Sequence, residues 1–482
     1  MRMKQKVYQW HRKISIIALV PVLFWTLSGI MHPLMSNFKP QLAQRFVRPT
    51  PVDFSGIQLS LDSVLRLQAV DSLQNFRVVN LAGKSYYQVN EQEGQALRYF
   101  DAISGEELVD GDHVYAKQVA TAYAGEQAGA IKSITQLTAY DDEYLEIFRL
   151  LPVYRVNFEN EEGLRLYIHT ASGQLGTSMN NARANWLQFF RYAHSWSFLD
   201  GNTPLRITVL IILAIAALLS AGSGIYVYGV MFKVINDKKK ASRVPMHRRL
   251  HRGLGIGMSF ALLMFALSAI AHMLPKYTPD NRLAFNNNYI YTADELSGIV
   301  FEEEVGIVNY SLARMGEETY LQKHYASKRG TQIKYQGPRS AQVLDNGDEA
   351  YAKYLANKFA QKEAKDIASV TAVTKFKGEY GFINKLLPVY KVQYKAAGNE
   401  RIYVHTPSGK MAARVVDKEA LSGFIFAYFH KYHFLDFAGK VIRDSIMVIF
   451  AAGNFLVALL GLIMLLKKQS APQKKEKGTL VS

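Results

Sequence analysis

The 482-residue chain carries twelve histidines, and several of them are spaced with a regularity that invites chemistry. His11 opens an apolar run that closes at His32, and His251 opens another that closes at His272. In both runs the two imidazoles are 21 residues apart. Twenty-one residues of α-helix rise roughly 31 Å and turn about 2100°, about 60° short of six full turns. His11 and His32 therefore sit on broadly the same side of one helix, at opposite ends, although Pro21 can bend that register. His194 and His430 form a third matched pair, each about a dozen residues before a further apolar run. A single histidine at a membrane surface is ordinarily solvated or in contact with headgroups. Recurrence in equivalent places sets these six apart.

Neutral imidazole is a good ligand for iron, and haem is commonly held by axial histidine. One equivalent histidine from each half could then hold one haem. That gives His11 with His251 at one membrane face, and His32 with His272 at the other. His194 with His430 could replace or join the latter pair. His247 and His433 have no counterpart in the other half and are weaker candidates. No cysteine is present, which excludes disulfides, thiolate metal sites, iron–sulfur clusters and covalent c-type haem. No acidic residue accompanies the histidines inside the apolar runs, which argues against a hard-cation or proton-coupled path. No separate metal site is expected. Phe24 and Trp25 lie between the two histidine levels and read first as core or lipid-facing aromatics, with an electron relay as the sharper alternative. Asn454 reads as an interhelical hydrogen-bond donor, Arg206 and Arg443 as headgroup or haem-propionate contacts, and His169 and His405 as structural.

These side chains need a scaffold. Four segments are long and apolar enough to cross a bilayer, at 14–32, 205–232, 254–274 and 446–466. The net charge is +17, and three short segments hold nearly all of it. Residues 1–13, the loop 233–253 and the tail 467–482 are rich in Lys and Arg, so the positive-inside rule places them in the cytoplasm. This clustering beside apolar runs also argues against nucleic acid as the partner. Residues 33–204 and 275–445 become two large segments on the outer side.

Internal self-similarity runs through the chain. His11-Arg12 and Leu27-Ser28-Gly29 match His251-Arg252 and Leu267-Ser268-Ala269. Leu150–Tyr154 matches Leu386–Tyr390, Tyr167–Thr170 matches Tyr403–Thr406, and Phe198-Leu199-Asp200 matches Phe434-Leu435-Asp436. The expected fold is a membrane all-α four-helix bundle of two tandem two-span repeats, carrying two α+β outer domains. Leu61–Ser72 and Asp348–Glu363 read as amphipathic helices. Val153–Phe158 with Leu164–His169, and Val389–Tyr394 with Glu400–His405, read as hairpins ending in Ser-Gly turns. Each outer segment is expected to hold two small modules.

The His-Arg openings, the Leu-Ser-Gly/Ala-x-x-His exits and the Tyr-x-His-Thr-x-Ser-Gly strand–turn resemble the PepSY-associated transmembrane proteins over nearly the whole chain. In that family an acidic residue often stands where His169 and His405 stand here. The resemblance implies an iron-regulated protein of the bacterial inner membrane. It also implies two non-covalent b-type haems on the paired histidines, and reduction of a periplasmic ferric siderophore. No dinucleotide or flavin motif lies in the short cytoplasmic segments, so the expected donor is a quinol or an electron-donor protein. Two other readings stand beside this one: a non-redox protein that binds or regulates a periplasmic partner, and a siderophore or metal transporter component.

Overall fold

A computed structural model describes residues 2–125, 128–230, 244–277, 289–299, 301–327, 330–337, 342–381, 384, 386–395 and 397–469. Most of the basic loop expected at 233–253 and of the tail expected at 467–482 lies outside them. The chain divides into two compact units. One gathers residues 1–37, 185–279 and 421–482, and the other gathers 38–184 and 280–420.

Among the described residues the first unit holds four helices that meet the length and hydropathy a membrane span requires: Lys6–Leu34, Thr203–Val230, Met246–Tyr277 and Lys440–Lys467. Each packs on two others, in the cyclic order first, second, third, fourth. The faces between them are made of small residues, among them Ala18, Ala214, Ala217, Ala221, Ala261, Ala266 and Ala451. Small side chains let backbones approach closely, which is the main attraction available to helices in an apolar solvent. Gly453 is the extreme case, since a Cβ there would run into Met258 of the third span. The opposite faces expose Ile16, Ile17, Val20, Ile212, Leu219, Phe260 and Ile449. In water such a surface would aggregate; in a bilayer it is the solvated side. The chain is a multi-pass membrane protein.

Asn454 is buried in the fourth span and donates to Phe450 O of its own helix at 2.9 Å, rather than across a helix interface as expected. Arg206 and Arg443 have local counter-ions: Arg206 pairs with Asp200, and Arg443 with Asp436 and Asp444. The repeated Phe-Leu-Asp motif thus supplies the acid that neutralises the arginine at the mouth of the following span.

The second unit is antiparallel sheet with packed helices. Its strands in chain order are β1 (Ser72–Leu73), β2 (Asn75–Leu81), β3 (Lys84–Asn90), β4 (Arg98–Asp101), β5 (Ile131–Leu137), β6 (Val153–Phe158), β7 (Arg165–His169) and β8 (Gln174–Met179). They continue as β9 (Tyr291–Thr292), β10 (Ile307–Met315), β11 (Glu318–Ser327), β12 (Gly330–Gln336), β13 (Ile367–Val373), β14 (Val389–Tyr394), β15 (Arg401–His405) and β16 (Lys410–Val415). Sheets β2-β3-β4 and β5-β6-β7-β8 come from the first outer segment, and β10-β11-β12 and β13-β14-β15-β16 from the second. The four-stranded sheets even share their irregularities. Register shifts fall between Ile131 and Ser133 and between Tyr167 and Ile168 in one, and between Ile367 and Ser369 and between Tyr403 and Val404 in the other.

Helices Gly111–Ala124 and Gly347–Ala360 lie against these sheets and bury Tyr115, Val119 and Tyr123, and Tyr351, Leu355 and Phe359. The helix expected over Leu61–Ser72 stops at Leu67. Ala69 takes a left-handed conformation, which breaks the helix, and Ser72-Leu73 then pairs with Tyr291-Thr292 as a two-stranded ribbon. One apolar cluster crosses between the two outer segments, joining Leu61, Phe76 and Tyr87 to Tyr291, Tyr310 and Leu312. The two segments therefore share a core.

Candidate functional site

The matched histidines of the four-helix unit are held by a common device. His11 Nδ1 lies 3.1 Å from Ser220 O and 3.0 Å from Ser223 Oγ, both on the second span. His251 Nδ1 lies 3.0 Å from Val457 O on the fourth span. His194 Nδ1 is 3.0 Å from Ser28 Oγ, and His430 Nδ1 is 3.2 Å from Ser268 Oγ. In each, one ring nitrogen is tied back and Nε2 is left to act. An outer partner of this kind fixes the orientation of a ligating imidazole and raises its basicity.

Ser28 and Ser268 are the serines of the repeated Leu-Ser-Gly/Ala exits. Both are fully buried, and each donates to the carbonyl four residues earlier, Phe24 O and Met264 O, at 2.6 Å. A helical serine that bonds its own backbone keeps its oxygen lone pairs for a neighbour. Here the neighbour is an imidazole. The motif that marked the repeat in sequence therefore has a structural task.

His194 and His430 reach these serines from short helices, Asn181–Phe190 and Asp417–Ile425, each followed by one π-turn, Arg191–Ser195 and Phe426–His430. The first π-turn packs on the first span and the second on the third. Ser422 Oγ, donating to Ala271 O at 2.9 Å, pins the second short helix to its span. The two imidazoles meet with centroids 6.1 Å apart and ring planes at 80°. Burial is the main cause that lowers both: His194 titrates at about 4 and His430 at about 3. Both rings are neutral near pH 7, the form that binds metal.

His32 and His272 stand one ring further out. Phe190 lies 5.2 Å from His32 and 4.7 Å from His194, while Phe426 lies 4.0 Å from His272 and 4.7 Å from His430. The six rings form a continuous aromatic file with the His194/His430 pair at its centre. His32 and His272 do not meet each other. His11 and His251 are within electrostatic reach without ring contact. Gly224 makes room for the former, since a Cβ there would lie 3.2 Å from His11 Cε1. His433 is engaged elsewhere, its Nδ1 being 2.8 Å from Asp436 Oδ2. Trp25 lies 6.3 Å from Trp196, between the helix core and the start of the Phe-Leu-Asp motif.

Sequence reading missed the short helices and the serine partners. Their signal is aromatic crowding: Trp186, Phe189, Phe190, Tyr192 and Trp196 in one stretch, and Phe424, Phe426, Tyr428 and Phe429 in the other. Also missed are two buried networks in the second unit. Gln88 Nε2 bonds Tyr99 Oη at 2.5 Å and Thr170 O at 3.1 Å, and Tyr99 Oη donates to Asp112 Oδ1 at 2.9 Å. Gln322, Tyr335, Asp348 and Thr406 repeat the arrangement. Burial raises both aspartates above the usual carboxylate range, against opposing hydrogen bonds. Each network fixes the turn that follows its Tyr-x-His-Thr strand.

His169 and His405 end those strands, each buried, with Nδ1 2.7 Å from Ser172 Oγ and 2.6 Å from Ser408 Oγ respectively. Among the described residues no group of three or more His, Asp or Glu side chains is placed to hold a metal ion. A family model described as the PepSY-associated TM region matches residues 76–468. No curated protein matches the sequence.

Proposed function

The chain belongs to the PepSY-associated transmembrane family, and on that premise we propose that it is a duplicated b-type haem protein carrying electrons outward across a membrane to a ferric chelate. The two halves are read as two copies of span, outer segment and return span, arranged about a common axis. Equal strand order, equal register shifts and the paired histidine–serine contacts support that reading. The basic ends and middle loop face the cytoplasm of a bacterial inner membrane, and the large segments face the periplasm.

The observation that carries the haem assignment is the His194/His430 pair. A free transition-metal ion takes three or four protein donors, and the described residues offer these imidazoles no third ligand. A porphyrin brings four donors of its own and needs two axial ones. His194 and His430, whose ring centroids are 6.1 Å apart, would hold it between them. The residues fit the group. When bound, haem supplies reversible one-electron chemistry.

The chain itself orients the ligands. Ser28 and Ser268 fix the outer rings, and Ser220 O and Val457 O fix His11 and His251, the expected pair at the inner face. Phe190 and Phe426 shield the outer pair. The donor class that fits is a quinol: it becomes a quinone, releasing two protons and two electrons. Two ferric chelates take one electron each, and the ferrous ion is held more weakly by hard oxygen donors.

The test is the visible spectrum of detergent-purified protein, oxidised and then reduced with dithionite. A Soret band with sharpened α and β bands on reduction is expected, followed by reoxidation when a ferric siderophore is added. A haem-replete preparation with no Soret band would leave a non-redox, partner-binding role in its place.

A further inference from the structure

A cavity of about 100 Å³ opens in the second unit where the two outer segments meet. Its wall takes Gln74 from the link between β1 and β2, Asn90 from β3, His169 and Thr170 at the first Ser-Gly turn, and Ser408 and Lys410 at the second. The lining is mostly neutral, with one cation, Lys410, and one carboxylate, Glu93, set into it. Lys410 follows the second Ser-Gly turn where Gln174 follows the first, so the charge is present in one half only. Lys410 is partly buried, and its ammonium makes no hydrogen bond or ion pair with the described residues. Burial pulls its pKa below the usual lysine range, and the opposing influence is Glu93, which also lines the cavity.

A second cation stands behind the wall. Arg77 Nη1 donates to Ala171 O at 3.0 Å and to Thr170 O at 3.4 Å, and both Arg77 and Lys410 act on His169 electrostatically. His169 Nδ1 is engaged by Ser172, which leaves Nε2. The Asn90 amide has no partner among the described residues. A partly buried ammonium with no partner of its own, beside uncommitted hydrogen-bonding groups, is matched to an anion that can take a charge-assisted hydrogen bond. The turns on either side are held by the Gln88–Tyr99–Asp112 and Gln322–Tyr335–Asp348 networks, so the pocket is preformed rather than assembled by its ligand.

We propose that this cavity binds a small organic acid, its carboxylate paired with Lys410 and hydrogen-bonded by Asn90 and His169. The cavity has room for a small di- or tricarboxylate. A carboxylate suits the site better than a bare halide because the donors are spread around the cation, and two oxygens can meet two donors at once. The site is independent of the redox reading, since none of its residues belongs to the four-helix unit.

The experiment uses the full-length protein in detergent, at fixed ionic strength with chloride as control. Citrate, succinate and inorganic phosphate are titrated by calorimetry and by thermal melting. Citrate or succinate is expected to bind saturably and raise the melting temperature, with chloride inert. Lys410→Met is expected to weaken binding roughly 10- to 100-fold, and Lys410→Arg to restore part of it. Asn90→Asp, which places a second negative charge in the wall, provides an independent loss should Lys410→Met fold poorly. Haem content is expected to stay unchanged in all three variants, which separates this site from the redox assignment. No saturable binding of any probe by the wild type, or equal binding by Lys410→Met and Asn90→Asp, overturns the proposal. Binding of phosphate alone overturns the carboxylate assignment.

Discussion

His194 and His430 are contributed by opposite halves of the chain and meet with 6.1 Å between ring centroids. Each stacks on the phenylalanine four residues before it, at 4.7 Å, and each leans its Nδ1 on a buried serine of a membrane helix. Each member of the pair is thus set by one neighbour in its own segment and by one serine more than 160 residues away in sequence.

Replacing either imidazole should remove one haem and leave the other. His194→Ala and His430→Ala are expected to lose one of two haem equivalents in a pyridine haemochrome assay, and His11→Ala and His251→Ala the other. Retention of both equivalents in His194→Ala would show that the outer site uses His32 and His272 instead.

The serines act through the rings they hold. Ser28→Ala and Ser268→Ala should keep the haem spectrum but weaken its retention about 10- to 100-fold, the usual cost of losing an outer partner. Haem transfer to apomyoglobin reads this directly. A Ser28→Thr variant, which keeps the hydroxyl, should transfer haem more slowly than Ser28→Ala.

Acid should loosen the second unit before the membrane helices. Burial, with cationic neighbours adding to it, holds His169, His324 and His405 at about 3, against 6.5 in an unfolded chain. A group whose folded pKa is depressed contributes stability above its unfolded pKa and loses it as pH falls toward the folded value. The loss here begins near pH 6.5 and runs to about pH 3. At about pH 5.5 each ring costs on the order of 1 kcal/mol. The acid transition, followed by hydrogen exchange across β7, β11 and β15, should move to lower pH in a His324→Gln variant. An unmoved transition would mean that other groups drive it.

The buried aspartates should matter for stability and not for electron transfer. Asp112→Ala strands the Tyr99 hydroxyl and the Leu97 amide that Asp112 accepts from, at about 2–3 kcal/mol. Denaturant unfolding should show that loss, and a matching one for Asp348→Ala, with haem content unchanged. A loss of haem in either variant would tie the network to the redox site.

The histidine spacing, the four apolar runs and the recurring motifs were legible because each is a local pattern of residue type. The 153–169 and 389–405 hairpins were legible for the same reason, to within a residue of their ends. What stayed hidden depends on contacts distant in sequence. Nothing local says that Ser28 will meet His194, or that Leu61–Ser72 will give up its last turn so that Ser72 can pair with Thr292. Arg206 and Arg443 looked like headgroup anchors because their acids, Asp200 and Asp436, sit six and seven residues away across a bend that sequence does not draw. The choice among the outer histidines was open for the same reason, since His32 lies on a legible helix and His194 on a turn that only packing defines.

That turn has a further consequence. A π-turn is a helix with one residue more than its hydrogen bonding requires, and both His194 and His430 lie in such a turn. The position of each imidazole is therefore written in chain length as much as in residue identity. Deleting one residue from Arg191–Ala193 would relax the segment to ordinary helix and swing the ring about 100° around the axis, with every side chain of the pair still present. A substitution scan would pass over that dependence, whereas a single-codon deletion would expose it.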